Sequence, residues 1–269
     1  MGWGRVEAMD HWRGKWALIT GASAGIGQAL AEQLAEAGAH LILTARRSER
    51  LEVLAEKLTR QYGVRIKIFP ADLTRPAAPD DVFAFTEKQR LEVDLLVLNA
   101  GFGTYGPFST SDRTRQLAMV QVNVAAVVAL THLYLPGMID RRHGEVLIVS
   151  STAAFQGLPY FATYAATKAF DLLFAEALAE EVRGYGLRVC ALCPGRTVTE
   201  FQKVAGGPRR HKQQAKSAAE VARVGLQALA HGRSYTISGV VNYLHTHAQR
   251  FVPRRLVTGM AAKNLRPPA

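Results

Sequence analysis

Short apolar runs alternate along the chain with longer stretches whose apolar positions repeat at helical spacing. The runs are Ala17–Thr20, Leu41–Ala45, Arg65–Pro70, Leu95–Asn99, Val146–Ser150 and Leu187–Leu192. Helical patterns fill most of the intervals, and this alternation predicts an α/β fold, a doubly wound parallel sheet covered by helices on both faces. Tyr235–Ser238 reads as a weaker seventh strand. Sheets of this kind bind ligands at the carboxyl ends of their strands, and the motifs below all close or follow an apolar run.

Thr20-Gly21-Ala22-Ser23-Ala24-Gly25-Ile26-Gly27 follows Trp16-Ala17-Leu18-Ile19 and opens the helical pattern Gln28–Ala37. Glycines permit a tight turn and a close approach of backbone to a pyrophosphate, while the helix N-terminus offers free N–H groups and a favourable dipole. Ser151 ends the run that starts at Glu145 and brings a hydroxyl to the end of a buried strand, with Ser150 beside it. Tyr164 and Lys168, four residues apart, rise from one face of a helix. A free phenol, with a pKa near ~10, is a poor acid or base at neutral pH unless a cation stabilises its phenolate. Lys168 is such a cation.

Joined to Asn99-Ala100-Gly101, Asn123 and Pro194-Gly195, these motifs resemble the classical short-chain dehydrogenase/reductase family from about Lys15 to Thr199, in family order and at family spacing. The resemblance implies a Rossmann-type fold and hydride transfer between a nicotinamide cofactor and a carbonyl or alcohol. It implies Tyr164 as general acid, Ser151 as the hydroxyl that orients and polarises the carbonyl, and Lys168 as ribose ligand and tuner of Tyr164. The thirteen-residue spacing to Tyr164 favours Ser151 over its competitor Ser150. Asn123 matches the family asparagine that anchors a water and links Lys168 to solvent. The cofactor-binding positions implied are Gly21, Gly25, Ile26 and Gly27 at the pyrophosphate, Asp72 and Leu73 at the adenine, Asn99, Ala100 and Gly101 where the chain passes the cofactor, and Pro194, Gly195, Thr197 and Thr199 at the carboxamide.

An acid about ~20 residues beyond the glycine turn holds the ribose 2′-hydroxyl of NAD, whereas an arginine there accommodates the 2′-phosphate of NADP. Counting from Gly25 and Gly27 reaches Ala45, Arg46 and Arg47, and no acid appears until Glu49. A guanidinium grips phosphate with paired, charge-assisted hydrogen bonds. The expected cofactor is therefore NADP(H), with Arg46 the main contact and Ser23 and Arg47 assisting.

With 269 residues, 48% of them hydrophobic, the chain can bury one large core. The expected division is a tail over 1–14, a catalytic domain over 15–240 and a basic amphipathic, helical extension over 241–269. The first sixteen residues carry Arg5, Glu7, Asp10, Arg13 and Lys15 without a sustained apolar stretch, and no run approaches ~18 uninterrupted apolar residues. The reading is a cytoplasmic protein, with Met9 as an alternative start.

Charge is unevenly placed. Residues 1–200 carry 21 Lys/Arg against 21 Asp/Glu, whereas residues 201–269 carry 12 Lys/Arg and only Glu220 as an acid, which accounts for the net +11. From Asn242 to Leu265, apolar groups including Tyr243, Leu244, Phe251 and Leu256 alternate with Arg250, Arg254, Arg255 and Lys263, and Pro253 interrupts any single helix. Such a stretch suits packing within a homo-oligomer first and peripheral membrane contact second; nucleic acid is not expected, because no binding motif accompanies the charge. The resemblance implies a homodimer or homotetramer paired through helices near 112–138 and 160–183.

Phe102, Tyr105, Phe155, Leu158, Phe161, Phe201 and Val204 are expected to line an apolar pocket for a small-molecule carbonyl or alcohol substrate. The glycine-rich basic loop Gly206–Lys212 suits a mobile lid. Cys190 and Cys193 have C-x-x-C spacing but fall three apart on a strand, so they point to opposite faces and read as buried residues, not a redox pair. No Gly-x-Ser-x-Gly elbow supports a hydrolase. His245-x-His247 has no metal-ligand geometry on a helix, and no metal is expected. The competing reading is a non-catalytic NADP-sensing or scaffold protein of the same fold.

Overall fold

The computed structural model describes residues 11–207 and 215–267. The apolar runs become strands with slightly shifted ends. β1 (Trp16–Thr20) leads through the glycine turn into α1 (Gly25–Glu36), followed by β2 (His40–Thr44), α2 (Ser48–Tyr62), β3 (Ile66–Ile68), α3 (Ala78–Lys88) and β4 (Val93–Leu98). The second half runs through α4 (Arg113–Val120), a π-helical turn (Gln121–Ala125), α5 (Ala126–Asp140), β5 (Glu145–Val149), α6 (Ala162–Val182) and β6 (Arg188–Pro194). Beyond it lie β7 (Thr197–Val198), α7 (Phe201–Ala205), β8 (Lys216–Ser217), α8 (Ala218–Ala230), β9 (Tyr235–Ser238), α9 (Val240–Ala248) and α10 (Arg254–Leu265). α1 starts at Gly25 rather than Gln28, so the glycines themselves form its first turn.

Seven strands make one parallel sheet in the order β3-β2-β1-β4-β5-β6-β9. β1 and β5 are buried at every position, as strands covered on both faces must be. The chain moves outward from β1 to β3 and then returns to β4 on the other side of β1. That reversal opens a crevice at the carboxyl ends of β1 and β4.

Alternate strand residues feed two cores. Ile19, Leu43, Val97, Leu147 and Leu192 pack with Leu34 of α1, Leu58 of α2 and Leu226 of α8. Leu18, Ile42, Leu96, Ile148 and Ala191 pack on the opposite face with Val82 of α3, Met138 of α5 and Leu172 of α6. Each fully buried leucine contributes roughly 1.5–3 kcal/mol. Cys190 lies in the first core and Cys193 in the second, as period-two alternation requires. Arg113–Asp140 is long and apolar enough to cross a bilayer, yet Leu130, Tyr134 and Met138 are buried against the sheet, the placement of a core helix. Pro253 does divide the extension, as the N-cap of α10.

Below the sheet, away from the crevice, Glu145 at the start of β5 is 5% exposed. It accepts hydrogen bonds from the indole N–H of Trp12 and from His11 Nε2 and Arg188 Nη1, the last two at 3.2 Å. Burial pushes its carboxyl up, but the His11 and Trp12 hydrogen bonds and the charges of His11 and Arg188 outweigh that and hold it below the ordinary 4.5. A carboxylate with a depressed folded-state pKa stabilises the fold above its unfolded pKa, and this contribution is lost as pH falls through the folded value. Glu145→Ala is therefore expected to cost roughly 2–4 kcal/mol at neutral pH and to flatten the acid limb of stability. Urea unfolding of both proteins at a series of pH values below neutrality measures this; identical midpoints at pH 7 would refute the anchor.

Candidate active site

The glycine turn is built around an absence of side chains. Gly21 (φ 67°) and Gly25 (φ 59°) occupy the left-handed region, which glycine enters without steric cost. A Cβ on Gly21 would lie 2.8 Å from Asn99 Nδ2, and one on Gly27 would collide with the same nitrogen and with the Gly21 carbonyl. Asn99 in turn holds the turn closed: its Nδ2 donates to the carbonyls of Thr20 (2.9 Å) and Gly21 (3.2 Å), and its backbone N–H donates to Thr20 Oγ1 (2.9 Å). Ala24 at the N-cap makes no side-chain cap bond, and Gly25 and Ile26 of the first turn line the cavity, so the N-terminus of α1 is available to an anion there.

On the other side of the crevice, α6 carries Tyr164 and Lys168 with the geometry expected of them. Lys168 Nζ donates to the Val149 carbonyl (2.8 Å) and to Asp171 Oδ2 (2.9 Å). Ser150 and Ser151 have different employments. Ser150 Oγ is buried and donates to the Lys168 carbonyl at 2.7 Å, which makes it a strut. Ser151 Oγ lines the cavity, accepts from Ala153 N at 3.1 Å and donates to the Pro194 carbonyl at 3.5 Å. Asn123 is fully buried in the π-helical turn; its Oδ1 accepts from Phe102 N (3.1 Å), and its Nδ2 donates to the Phe102 carbonyl and to Thr167 Oγ1, each at 3.0 Å. Its side chain therefore ties the loop after β4 to α6. Burial pushes the Tyr164 phenol above its ordinary 10, with the Lys168 charge and the Ser151 hydrogen bond opposing. The sequence expectation was a phenol drawn down by Lys168; desolvation outweighs the cation.

A cavity of about 720 Å³ runs from the glycine turn to α6. Gly21, Ser23, Gly25, Ile26, Arg46, Arg47, Asp72, Leu73, Asn99, Ala100, Gly101, Ser151, Tyr164, Lys168, Pro194, Gly195, Thr197 and Thr199 line it. Gly27 and Asn123 support it from behind. Arg46 is exposed and has no ion pair among the described residues. Arg47 is engaged: Nε and Nη2 donate to Ser23 Oγ at 3.2 and 3.1 Å, and Nη1 pairs with Glu200 at 2.8 Å, as does Arg50 at 2.9 Å. These two guanidiniums hold the Glu200 carboxyl down at about 2. Asp72 Oδ1 caps its own turn by accepting from Thr74 N.

Two of the expected pocket residues lie elsewhere. Tyr105 leaves the cavity to donate its hydroxyl to the Leu265 carbonyl at 2.6 Å, and Phe155 packs toward Tyr235 beneath the pocket. Phe102, Leu158, Phe161, Phe201 and Val204 do line it, with Phe201 5.2 Å from the Tyr164 ring. Most of the supposed lid, residues 208–212, lies outside the described residues. The extension supplies a lining that motif reading missed: Asn242, His245, Thr246, Gln249, Asn264 and Leu265. No spacing rule flags them, because their place follows from how α9 and α10 fold back. Asp171 was also missed, although three residues beyond Lys168 on a helix is a contact distance. Among the described residues no cluster of His, Cys, Asp or Glu suits a metal.

A family model described as short chain dehydrogenase matches residues 15–208. The chain is 34% identical over 198 residues to the 7beta-hydroxysteroid dehydrogenase of Collinsella aerofaciens, covering 73% of this chain and 74% of that one. It is 37% identical over 194 residues to the mouse (Mus musculus) 17-beta-hydroxysteroid dehydrogenase type 3, covering 71% of this chain but only 62% of that relative. Among solved structures, a short-chain dehydrogenase from Sphingobium yanoikuyae in complex with NADPH superposes with a TM-score of 0.81 at 28% identity, covering 91% of this chain and 95% of that one.

The two thiols bear on what the site can do. Cys190 and Cys193 are buried, and burial pushes each up to about 12. Thiolate is the reactive form, so both are expected to resist a disulfide-exchange reagent in the native protein and to react fully in denaturant. Rapid native labelling of either would overturn that assignment.

Proposed function

The chain belongs to the short-chain dehydrogenase/reductase family, and from that membership we propose that it is an NADP(H)-dependent oxidoreductase interconverting an apolar ketone or aldehyde and the corresponding alcohol. The observation that carries the reading is the meeting of Ser151, Tyr164 and Lys168 at an aromatic-lined end of a cavity whose other end offers a helix N-terminus without a side-chain cap and Arg46, which has no ion pair among the described residues. The site suits a dinucleotide, because the turn packs tightly against Asn99, where a Cβ at Gly21 or Gly27 would collide, and so brings the uncapped N-terminus of α1 to the cavity.

When bound, the nicotinamide supplies or accepts the hydride. The α1 N-terminus receives the pyrophosphate, Asp72 and Leu73 flank the adenine, and Arg46 grips the 2′-phosphate. Arg47 assists through Ser23, which it already holds. Pro194, Gly195, Thr197 and Thr199 hold the carboxamide. In reduction, Ser151 Oγ donates a hydrogen bond to the carbonyl oxygen and Tyr164 Oη delivers the proton as negative charge develops there. Lys168 stabilises the phenolate that remains, which brings the donor toward the range where acid–base catalysis works best. The apolar side chains Phe102, Phe161 and Phe201 exclude water and favour a hydrophobic substrate. Relatives named as hydroxysteroid dehydrogenases and a neighbour solved with NADPH agree with that substrate class and cofactor.

The same reading includes a homo-oligomer and a peripheral contact. Leu117, Val120, Val128 and Leu173, exposed on α4 to α6, form the pairing face. The extension exposes Val241, Leu244, Leu256 and Phe251, the last at 90%, beside Arg250, Arg254 and Arg255, with no acid beyond Glu220. A two-fold contact there would bring two copies of the same cationic patch into one interface, so this face suits an anionic lipid surface better than the subunit packing that the sequence pattern favours.

Paired titrations with NADPH and NADH are expected to give at least a tenfold preference for NADPH, about 1.4 kcal/mol, abolished in Arg46→Ala; equal binding by wild type would overturn the cofactor assignment. Tyr164→Phe should bind NADPH yet lose carbonyl turnover by about 10²–10⁴-fold, whereas binding without turnover in wild type across a broad carbonyl panel would favour the non-catalytic reading. In flotation assays, vesicles containing phosphatidylserine should carry the protein and neutral vesicles should not; Phe251→Ser with Arg254→Gln is expected to abolish flotation, and its persistence would rule out this face.

A further inference from the structure

Tyr164, Lys168 and Asp171 stand at i, i+4 and i+7 of α6, on one helix face. The third of these has no part in the chemistry above. Asp171 is 1% exposed, and its Oδ2 lies 2.9 Å from Lys168 Nζ. Its Oδ1 has no hydrogen-bond partner. A buried carboxylate with an unsatisfied oxygen is a cost to the fold, so its place beside the lysine calls for a reason other than stability. Replacing a buried ion pair by apolar side chains is often neutral or stabilising.

The ammonium has three N–H donors. One goes to Val149 O and one to Asp171, which leaves a third for the crevice. The lysine charge is thus shared between an anion on one side and the phenol on the other. The remaining titratable groups near Asp171 are few: Cys193 on β6, whose thiol is held neutral at about 12, and Glu176 farther along α6, whose charge bears on Cys193. None supplies a second cation, and Lys168 faces Asp171 as its sole ion-pair partner among the described residues.

We propose that Asp171 offsets the charge of Lys168 as felt at Tyr164 and so makes the phenolate less favourable, biasing this site toward carbonyl reduction over alcohol oxidation. The proposal rests on the acid–base reading given above. Reduction consumes a proton held on Tyr164 Oη, whereas oxidation needs that oxygen already deprotonated to accept the alcohol proton. A carboxylate that weakens the lysine's pull on the phenolate favours the first state. Burial raises the Tyr164 phenol and Asp171 adds to that rise. Asp171 is on this account a positioning residue acting through Lys168.

Asp171→Asn keeps the shape and removes the charge. In the cofactor-free protein, the pH titration of phenolate absorbance, taken as the difference from the matching Tyr164→Phe background, is expected to shift down by about one pH unit. With NADP and an alcohol that wild type turns over, the alkaline rise of the oxidation rate should shift the same way, while Asp171→Glu returns both toward wild type. A shift to higher pH would show that Asp171 only keeps Lys168 charged, and an unmoved titration would show that it does not act on Tyr164; either overturns the proposal. A urea midpoint for each variant separates these outcomes from misfolding, with the charge-removing Asp171→Ser carrying the test if Asp171→Asn fails to fold. Failure of wild type to turn over any carbonyl would count against the enzyme reading, whereas the cofactor-free titration judges Asp171 alone.

Discussion

The backbone of the Gly21–Gly27 turn lies against the end of β4 with no room for a side chain between them, and this contact decides the geometry of the whole crevice. Asn99 occupies the interface, and its Nδ2 binds two successive carbonyls of the β1 end. With the carbonyls of Thr20 and Gly21 bound by Asn99, the turn is held closed, and it leads into α1, whose N-terminus carries no side-chain cap and lines the crevice through Gly25 and Ile26. Thr20 Oγ1 adds to the lock by accepting from both Asn99 N and Ala100 N. The glycine-turn end of the cavity is therefore a product of close approach between two strand ends, and the glycines are the residues that permit it.

The end of the cavity at α6 is organised by a different constraint, the burial of an ammonium. Lys168 is 5% exposed, and an isolated charge in such a place would lose its proton. Its partners come from separate elements: the Val149 carbonyl at the end of β5 and Asp171 on its own helix. Ser150 clamps the same junction by donating to the Lys168 carbonyl, so adjacent serines divide the work, one binding backbone and the other facing the cavity. Asn123 draws the loop after β4 onto α6 through Phe102 and Thr167, and the π-helical widening at Gln121–Ala125 is the local irregularity that accommodates it.

How much of this could be read from residues alone follows from the range of the forces involved. Strands buried on both faces betray themselves by unbroken apolar runs, so the sheet was legible to within a residue or two at most ends, as was the division of Cys190 and Cys193 between two cores. The glycine turn was legible because only glycine meets its steric demand, and Tyr164 with Lys168 because a helix brings such a pair together without help from the rest of the chain. Residues that depend on distant docking were not. Tyr105 and Phe155 have the composition of pocket residues, but one hydrogen bonds the extension and the other packs into the core. Glu200 lies 153 positions beyond Arg47, and no local rule connects them. Asp171 is the exception: it stands three residues beyond Lys168 on the same helix, so helical spacing alone places it beside the ammonium.

The segment from Thr199 to Ala205 joins the two ends of the cavity. Thr199 closes over Gly25, whose Cβ position would be 3.0 Å from Thr199 Cγ2. Glu200 reaches back to Arg47 and Arg50 across the crevice, and Phe201 turns the other way to pack on Tyr164. Arg115 and Tyr105 tether its far end through the carbonyls of Val204 and Ala205. Exposed ion pairs add little net stability and exchange readily for a better anion, so Glu200 is the replaceable contact in this chain of contacts, while the aromatic packing at Phe201 is the costly one to break. The two ends of the segment are thus held by forces of different strength: breaking the Glu200 pairs would free its Arg47 end at little cost, whereas the packing of Phe201 on Tyr164 would still hold the aromatic wall of the cavity in place.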